Sequence, residues 1–434
     1  MFIRHVKVWD KCNKVFDLKS MLITSSGQLE IISPEQQPPT DEEYLDLDGK
    51  FTLLPGLLDT HVHGFGGFDF SCIHDTPEAL PIILDALAKS GLSFAMATFV
   101  SLPIPTLKQC LKVLDAYVNK ESENPTLGRT QVVGVHLEGP FISKTCNGAH
   151  DANVLQNSIS LAQFKDIIAS APHIKEWKMT LSPDLVGAMD FIKQIKSLQA
   201  DGISVKIFLG HTNPKTDIID QAVRLGVAGF THLGNACQEP CARNPDPISE
   251  EQLSSNLVKW VMQHPENCPP GVELIVDGVH LSHSFFKLIK AKIGNQIVLV
   301  SDALGASGLK DGQYKLGSVK VVKQNNAFYI DDPQTKTHKK LAGSAASLAH
   351  CIKTFCTWAE MRSLYSAAIE NPRISSLSTN AIAQLADNNN FALISNSGDL
   401  ALSLCHGKLT EHMPEIMQIY KHKEETAVRR KLRC

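Results

Sequence analysis

The sequence has little that would tie it to nucleic acid, to a membrane or to an oxidising compartment. Its 434 residues carry a formal net charge of −3, so no excess of charge favours nucleic acid or an acidic membrane as a partner. No apolar run approaches the roughly 20 residues of a membrane helix, and the polar opening Met-Phe-Ile-Arg-His is not typical of a signal peptide. The 11 cysteines include no Cys-x-x-Cys pair. We therefore expect a cytoplasmic protein with reduced thiols.

The chain instead has a regular alternation of apolar and amphipathic stretches from Leu53 onward. The apolar stretches predict eight strands, and amphipathic stretches that predict helices lie between nearly all of them. This alternation implies right-handed βαβ units in a parallel sheet, and eight strands are the number of a closed (β/α)8 barrel. An open doubly wound sheet is the alternative, but it would bind its ligand at one switch point. The predicted strands are Leu57–His63, Ser93–Val100, Val132–Glu138, Trp177–Leu181, Val205–Gly210, Ala228–His232, Glu273–Val276 and Ile297–Asp302.

Both chain ends are predicted to contribute to a small β domain. Short strand-like runs separated by turn residues precede Leu53, and Phe391–Ser395 and Leu400–Ser403 are predicted to return to the same domain. After the eighth barrel strand, Gln313–Asp332 is typical of a hairpin-like insertion. We therefore predict an α/β fold, a (β/α)8 TIM-like barrel with a small β-sandwich domain built from both chain ends. The predicted bounds are 1–54 with 386–420 for the small domain, 55–385 for the barrel and 421–434 for a flexible tail.

Six short motifs carry side chains of the metal-ligand type where the predicted strands end. One such histidine is usually a packed core residue, but six strand ends of this kind are hard to explain by packing alone. Because the carboxyl ends of barrel strands meet at one face, these side chains should share one site. The motifs are Asp59-Thr60-His61-Val62-His63, His136-Leu137-Glu138-Gly139-Pro140, Gly210-His211-Thr212, Thr231-His232-Leu233, Asp277-Gly278-Val279-His280 and Ser301-Asp302-Ala303.

Three of these side chains, Glu138, His211 and His232, form the predicted ligand set of a divalent metal. A buried carboxylate at a strand end is costly without a cation or a hydrogen-bond cage. Three protein ligands leave a position open for water, which is the arrangement of a catalytic metal. Asp302 ends the eighth strand, where it can serve as general base and then as general acid. The sequence therefore predicts a metal-dependent hydrolase, with zinc as the first choice of metal and iron, cobalt or manganese as alternatives.

The motifs in their order resemble the N-acetylglucosamine-6-phosphate deacetylase family of the amidohydrolase superfamily. The resemblance runs from about Leu53 to Ser344 and includes Gly-Val-His-Leu-Glu-Gly-Pro-Phe, Leu-Gly-His-Thr-Asn and Thr-His-Leu-Gly-Asn-Ala. It implies hydrolysis of N-acetylglucosamine 6-phosphate to glucosamine 6-phosphate and acetate, in amino-sugar catabolism, with Asp302 as the acid/base. His61 and His63 stand as in members that bind two metals, so the resemblance implies one or two ions per subunit.

The resemblance also implies a set of substrate contacts. Arg243 and His280 match positions that hold the phosphate, and the arginine is implied to reach in from a neighbouring subunit, so a homodimer is expected. The loop Cys241-Ala242-Arg243-Asn244-Pro245-Asp246 departs from the His-His-Arg-Asp-Pro-Gly that family members often show. The implied contacts are Ala149, His150, Asn235, Ala236, Arg243, His280, Leu341, Ala342 and Gly343.

Two other functions stay open on the sequence alone. The altered loop around Arg243 leaves room for another N-acyl sugar, an N-acyl amino acid or a cyclic amide as substrate. A non-catalytic barrel that serves as a scaffold or sensor is the other alternative. Such a barrel would be expected to have lost metal ligands or the acid/base, and this sequence has all of them.

Overall fold

The largest part of the chain is a barrel of eight parallel strands. It is seen in a computed structural model that describes residues 1–38, 43–331, 340–385, 389–414, 418 and 420–423. Neighbouring strands follow one another in chain order, and every strand is followed by a helix, as predicted. The barrel strands are Leu58–Val62, Phe94–Phe99, Gln131–Glu138, Glu176–Leu181, Ser204–Leu209, Gly229–Phe230, Gly271–Leu274 and Ile297–Leu299.

Backbone hydrogen bonds close the barrel between its first strand and the segment that follows its eighth. The N–H of Asp302 donates to the carbonyl of His61 at 2.9 Å, and the N–H of His63 donates to the carbonyl of Ala303 at 2.9 Å. The carboxylate of Asp59 accepts the N–H of His61 at 3.1 Å. The barrel is therefore joined at its carboxyl end, where the predicted site residues lie.

Eight helices surround the barrel with their apolar faces toward the strands. Helix Ala79–Lys89 buries Leu80, Ile83 and Leu87, whose spacing places them on one helix face. The strand Phe94–Phe99 is buried at every position, because barrel interior and helices cover its two faces. The eight helices are Ala79–Lys89, Ile104–Glu123, Leu161–Ile168, Ala188–Gln194, Thr216–Leu225, Asn256–Gln263, His283–Ile293 and Leu348–Trp358.

A second, nine-stranded sheet is built from both chain ends, which confirms the predicted combination of barrel and small β domain. Its apolar core includes Val6, Met21 and Leu393. The predicted tail begins with a strand, Lys421–Lys423, that pairs with Glu43–Asp46, and residues 424–434 lie outside the described part. The other predicted domain bounds stay predictions. The strands are Phe2–Asp10, Val15–Ile23, Leu29–Ile32, Glu43–Asp46, Phe51–Pro55, Phe391–Ser395, Leu400–Cys405, Lys408–Glu411 and Lys421–Lys423.

The predicted insertion after the eighth barrel strand is an antiparallel sheet of four strands. Its last strand returns to the barrel, where the N–H of Ser344 donates to the carbonyl of Asp302 at 2.8 Å. This contact brings the insertion to the edge of the predicted site. The strands are Gly312–Leu316, Val319–Gln324, Ala327–Ile330 and Leu341–Ser344, and a two-stranded ribbon, Gly64–Phe65 with Phe68–Asp69, follows the first barrel strand.

Short helices connect the last barrel helix to the small sheet. They are Met361–Tyr365, Asn371–Ser376 and Thr379–Gln384, with a π-helical turn at Ser366–Glu370. Within the described residues, every helix is too short or too polar to span a bilayer. The cysteines in the same part of the chain are all free thiols, in agreement with the expectation from their spacing.

Candidate metal centre and substrate cavity

A cavity of about 480 Å³ opens at the carboxyl ends of the barrel strands. All but two of the predicted site residues line it, which places them in a single site. His61 is one exception, because it lies fully buried beside Glu138 and Asp302 at the base of the cavity. Ala342 is the other, since strand alternation buries it while Leu341 and Gly343 line the cavity.

Glu138 is the centre of the buried cluster. Its Oε1 atom lies 2.9 Å from Nε2 of His232, 3.1 Å from Nε2 of His211 and 3.3 Å from Nε2 of His61. Its Oε2 atom lies 3.1 Å from Nε2 of His63. The four predicted histidine ligands therefore meet around the carboxylate of the fifth, Glu138, which is 2 % exposed.

The backbone directs three of these side chains into the cavity at a cost in strain. His211, His232 and Asp302 each follow a barrel strand and have φ values of 50°, 27° and 51°. Residues with a side chain rarely adopt this left-handed region, and each costs about 1–3 kcal/mol. The strain turns each side chain away from the strand line and toward the site. Such strain is typical of functional positions that the surrounding structure holds in place.

The proton positions of two imidazoles make the cluster suitable for a metal ion. Nδ1 of His211 lies 2.9 Å from the carbonyl oxygen of Cys146, which can only accept, so Nε2 presents a lone pair to Glu138. Nδ1 of His61 lies 3.4 Å from the Glu273 carboxylate, and its buried Nε2 has no hydrogen-bond partner among the described residues. Unprotonated nitrogens that point at a shared carboxylate, as these two Nε2 atoms do, are the ligand atoms that a metal cation requires. The residues therefore fit a divalent metal site.

His150 touches the cluster but differs from its ligands. The N–H of Ser101 donates to Nδ1 of His150 at 3.1 Å, so this nitrogen carries no proton. Burial lowers the pKa of His150 to about 4, which keeps the ring neutral near pH 7. Nε2 then carries the proton and donates to Oε2 of Glu138 at 3.1 Å. A protonated nitrogen cannot bind a metal, so the geometry separates His150 from the ligand set.

Asp302 lies directly beside the ligand cluster. Its Oδ1 atom is 3.2 Å from Nε2 of His63 and 3.4 Å from Nε2 of His61. It also lines the open cavity, as Glu138 does. A carboxylate that borders both the metal centre and the substrate space can reach a water and a substrate nitrogen in turn.

A histidine–aspartate pair forms part of the cavity wall. Nδ1 of His280 donates to Oδ2 of Asp277 at 2.8 Å, and the hydroxyl of Ser344 donates to the same oxygen at 2.8 Å. Burial opposes a charge on His280, but the Asp277 carboxylate raises the pKa of that imidazole above its ordinary value. His280 lines the cavity together with Arg243. The two side chains can provide positive charge to an anionic ligand.

Comparisons with known proteins agree with this geometry. The chain matches no protein-family model. It is 30% identical over 354 residues to the N-acetylglucosamine-6-phosphate deacetylase of Rattus norvegicus, which covers 79% of each protein. The chain belongs to the N-acetylglucosamine-6-phosphate deacetylase family.

Two further comparisons concern substrate and fold. The chain is 27% identical over 264 residues to an N-acetylgalactosamine-6-phosphate deacetylase of Escherichia coli, which covers 61% of this chain and 63% of the relative. The crystal structure of N-acetyl-D-glucosamine-6-phosphate deacetylase from Mycobacterium smegmatis superposes with a TM-score of 0.74 at 20% identity, over 94% of this chain and 100% of that one. The latter shows the shared fold.

Arg243 is part of the cavity wall in this chain. The resemblance to the deacetylase family implies that this arginine reaches in from a neighbouring subunit, and that expectation stays a prediction. Arg243 ends the short helical turn Pro240–Arg243. The Glu239 carboxylate supports this turn by accepting the N–H groups of Ser254 at 2.9 Å and Ser255 at 3.0 Å.

Three side chains near the deacetylase-type site were absent from the sequence prediction. Lys340 is exposed and lines the cavity, and its only signal in the sequence is that it precedes the implied contacts at Leu341–Gly343. Lys178 and Glu273 are fully buried below the centre, where they form an ion pair. No local pattern reveals this pair, because the two residues are 95 positions apart.

Proposed function

We propose that this protein hydrolyses the acetamide of N-acetylglucosamine 6-phosphate, which yields glucosamine 6-phosphate and acetate in amino-sugar catabolism. The observation that carries the proposal is one cavity that combines a cluster of metal ligands, a further carboxylate beside it and cationic groups. Glu138 and Asp302 represent the first two of these features, and Arg243 and His280 the third. Membership of the deacetylase family supports the same reaction.

The ligand cluster suits one or two divalent ions. Glu138, His211 and His232 would hold the first ion, and His61 and His63, with Glu138 between, would hold a second. Zinc is the proposed metal, because imidazole and carboxylate are its common ligands, and iron, cobalt and manganese are the alternatives. When bound, the metal supplies Lewis-acid polarisation of the acetyl carbonyl and a lower pKa for water.

Asp302 is proposed to move the proton in this reaction. It would accept a proton from the attacking water and then deliver it to the departing sugar nitrogen, so that glucosamine leaves as a neutral amine. Its carboxylate lies beside the centre and in the cavity wall, which allows both contacts. His150 carries a proton on Nε2 and lies next to Ala149 in the wall, where it would orient the substrate.

The cationic wall is proposed to bind the phosphoryl group. A guanidinium can form two hydrogen bonds with a phosphate, and the protonated imidazole of His280 adds a third donor. The side chain of Asn235, the loop backbone at Ala236 and the strand Leu341–Ser344 would contact the sugar. Ala342 could take part only through its backbone, since its side chain faces away.

Acetate release tests the proposal. Purified protein would be loaded with zinc and incubated with N-acetylglucosamine 6-phosphate, in parallel with chelator-treated protein and with an Asp302→Asn variant. We expect rapid acetate release by the loaded wild type and release near background in both controls. No release by the loaded wild type would refute the proposed substrate, and full release by the chelated protein would refute the metal centre.

N-acetylgalactosamine 6-phosphate is a second candidate substrate. The Escherichia coli relative named for that sugar favours it, and the two sugars differ only in the configuration at C4. The same assay with both sugar phosphates separates them. A higher kcat/KM for the galactosamine derivative would replace the first substrate and leave the reaction type unchanged.

The assembly and location of the protein are also proposed. The resemblance to the family favours a homodimer, and the free thiols favour a cytoplasmic location. Sedimentation at micromolar concentration tests the dimer. A monomer with full activity would agree with the position of Arg243 in its own cavity.

A further inference from the structure

A fully buried ion pair lies directly below the candidate metal centre. Glu273 is on the seventh barrel strand and Lys178 on the fourth, and their side chains contact each other across the barrel interior. Both side chains are 0% exposed. Nζ of Lys178 also donates to the carbonyl of Thr60 at 3.1 Å and lies 4.5 Å from the ring centre of Phe208. A buried pair of this kind seldom adds stability, so its presence calls for another reason.

The Glu273 carboxylate has one oxygen for the ion pair and one for a metal-site histidine. Oε1 accepts from Lys178 and lies 3.4 Å from the hydroxyl of Thr60. Oε2 lies 3.4 Å from Nδ1 of His61. Glu273 is therefore a fully buried carboxylate held in an ion pair, with its second oxygen beside Nδ1 of His61.

An anionic acceptor at Nδ1 determines which nitrogen of His61 holds the proton. In the neutral imidazole that binds a metal, Nδ1 donates to Glu273, so Nε2 has the lone pair. Nε2 lies 3.3 Å from Glu138 and 3.4 Å from Asp302, and it has no hydrogen-bond partner among the described residues. The backbone of His61 is held as well, by Asp59 and by the N–H of Asp302. These contacts fix the orientation of the His61 imidazole and the nitrogen that carries its proton.

We propose that Glu273 and Lys178 are positioning residues that make His61 a metal ligand, and so allow the centre to hold an ion on the side of His61 and His63. Lys178 holds the Glu273 carboxylate in place through the ion pair, and Glu273 accepts the Nδ1 proton of His61. This inference rests on the proposed metal centre, but it concerns metal binding and not the substrate. Neither residue touches the cavity, so neither is a catalytic residue.

Paired substitutions test the inference without leaving a buried charge. Lys178→Met/Glu273→Leu removes both charges and the acceptor, and similar replacements of buried ion pairs are often tolerated. Lys178→Met/Glu273→Gln is the matched control, because the glutamine carbonyl can still accept from Nδ1 of His61. Metal content by mass spectrometry, chelator competition for zinc and the visible spectrum of the cobalt-loaded protein would be measured without substrate.

We expect the Met/Leu variant to bind the ion on the side of His61 and His63 about 10–100-fold less tightly than the wild type does. Loss of a residue that hydrogen-bonds to a metal ligand typically lowers metal affinity by this factor. The Met/Gln variant should retain most of the wild-type affinity. Equal affinities in all three proteins, or equal losses in both variants, would overturn the proposal. A His61→Asn variant that binds metal as tightly as the wild type would overturn the proposal as well. If acetate release fails while these affinities follow the expectation, the substrate is wrong and the positioning role stands.

Discussion

The floor and the rim of the cavity are built in different ways. The floor consists of Glu138 and the histidines around it, which come from strand ends and are almost completely buried. The rim includes Arg243 and Lys340, which come from loops and are exposed. Strand ends give fixed geometry, whereas exposed loops can change at little cost to the fold. On the proposed function, the floor would determine the reaction and the rim would determine the substrate.

The largest effect should follow from loss of the carboxylate that joins the floor. Glu138→Gln removes the negative charge that the four predicted histidine ligands share, and loss of one partner in a buried charge cluster costs about 3–5 kcal/mol. We expect metal content far below that of the wild type and no measurable turnover. Metal analysis of the dialysed variant checks this, with far-ultraviolet circular dichroism as the control for folding. Full metal occupancy in the variant would show that the floor does not depend on Glu138.

Asp302→Asn should reduce kcat without loss of metal from the ligands of the floor. The amide cannot accept a proton, and the loss of a general acid/base typically costs about 10²–10⁴ in rate. KM for the phosphorylated sugar should change little, because the rim is untouched. Initial rates with metal content measured on the same sample separate the two effects. Near-normal turnover with metal bound would remove Asp302 from the mechanism.

A change in the rim should affect binding more than the chemical step. Arg243→Ala removes a charge-assisted contact worth about 1.5–3 kcal/mol, so KM for N-acetylglucosamine 6-phosphate should rise about 10–100-fold. The kcat should remain within a few-fold of the wild type. Arg243→Lys is the matched control and should recover part of the loss. An unchanged KM in the alanine variant would mean that Arg243 is not part of the phosphate site.

The smallest expected effect is a pH dependence of KM that reports on His280. Its pKa is raised by Asp277, so the cationic form persists above the ordinary value of 6.5 and is lost as pH increases through the raised pKa. KM should therefore rise severalfold toward alkaline pH, measured above pH 7 where the substrate phosphate is already mostly dianionic. Asp277→Asn should shift the rise to lower pH. A KM that is independent of pH in this range would exclude a role for the charge on His280.

The floor could be predicted from the sequence because its signals are local. An apolar run that ends in a histidine or a carboxylate predicts both a strand and a side chain at its carboxyl end. The ion pair of Lys178 and Glu273 could not be predicted, because strands four and seven meet only across the closed barrel. The resemblance implied Ala342 as a substrate contact together with Leu341 and Gly343, and only the strand geometry shows that its side chain faces away from the cavity.

Local capping also limits what the sequence can predict outside the site. The polar and apolar spacing over Glu250–Met262 predicts one helix, but the structure has a short helical turn followed by the helix Asn256–Gln263. The hydroxyl of Ser255 accepts the N–H of Val258 at 3.5 Å and starts the helix there. The helix Leu161–Ile168 was not predicted, because eight residues give a weak periodic signal.

The most direct test is the ratio of kcat/KM for N-acetylglucosamine 6-phosphate to that for unphosphorylated N-acetylglucosamine, measured with zinc-loaded wild type and Arg243→Ala. We predict a ratio of at least about 100 for the wild type and a ratio at least about tenfold lower for the variant. The variant should keep its rate on the unphosphorylated sugar. A wild-type ratio near one, or the same ratio in both proteins, would contradict the division of the cavity into a catalytic floor and a phosphate-binding rim.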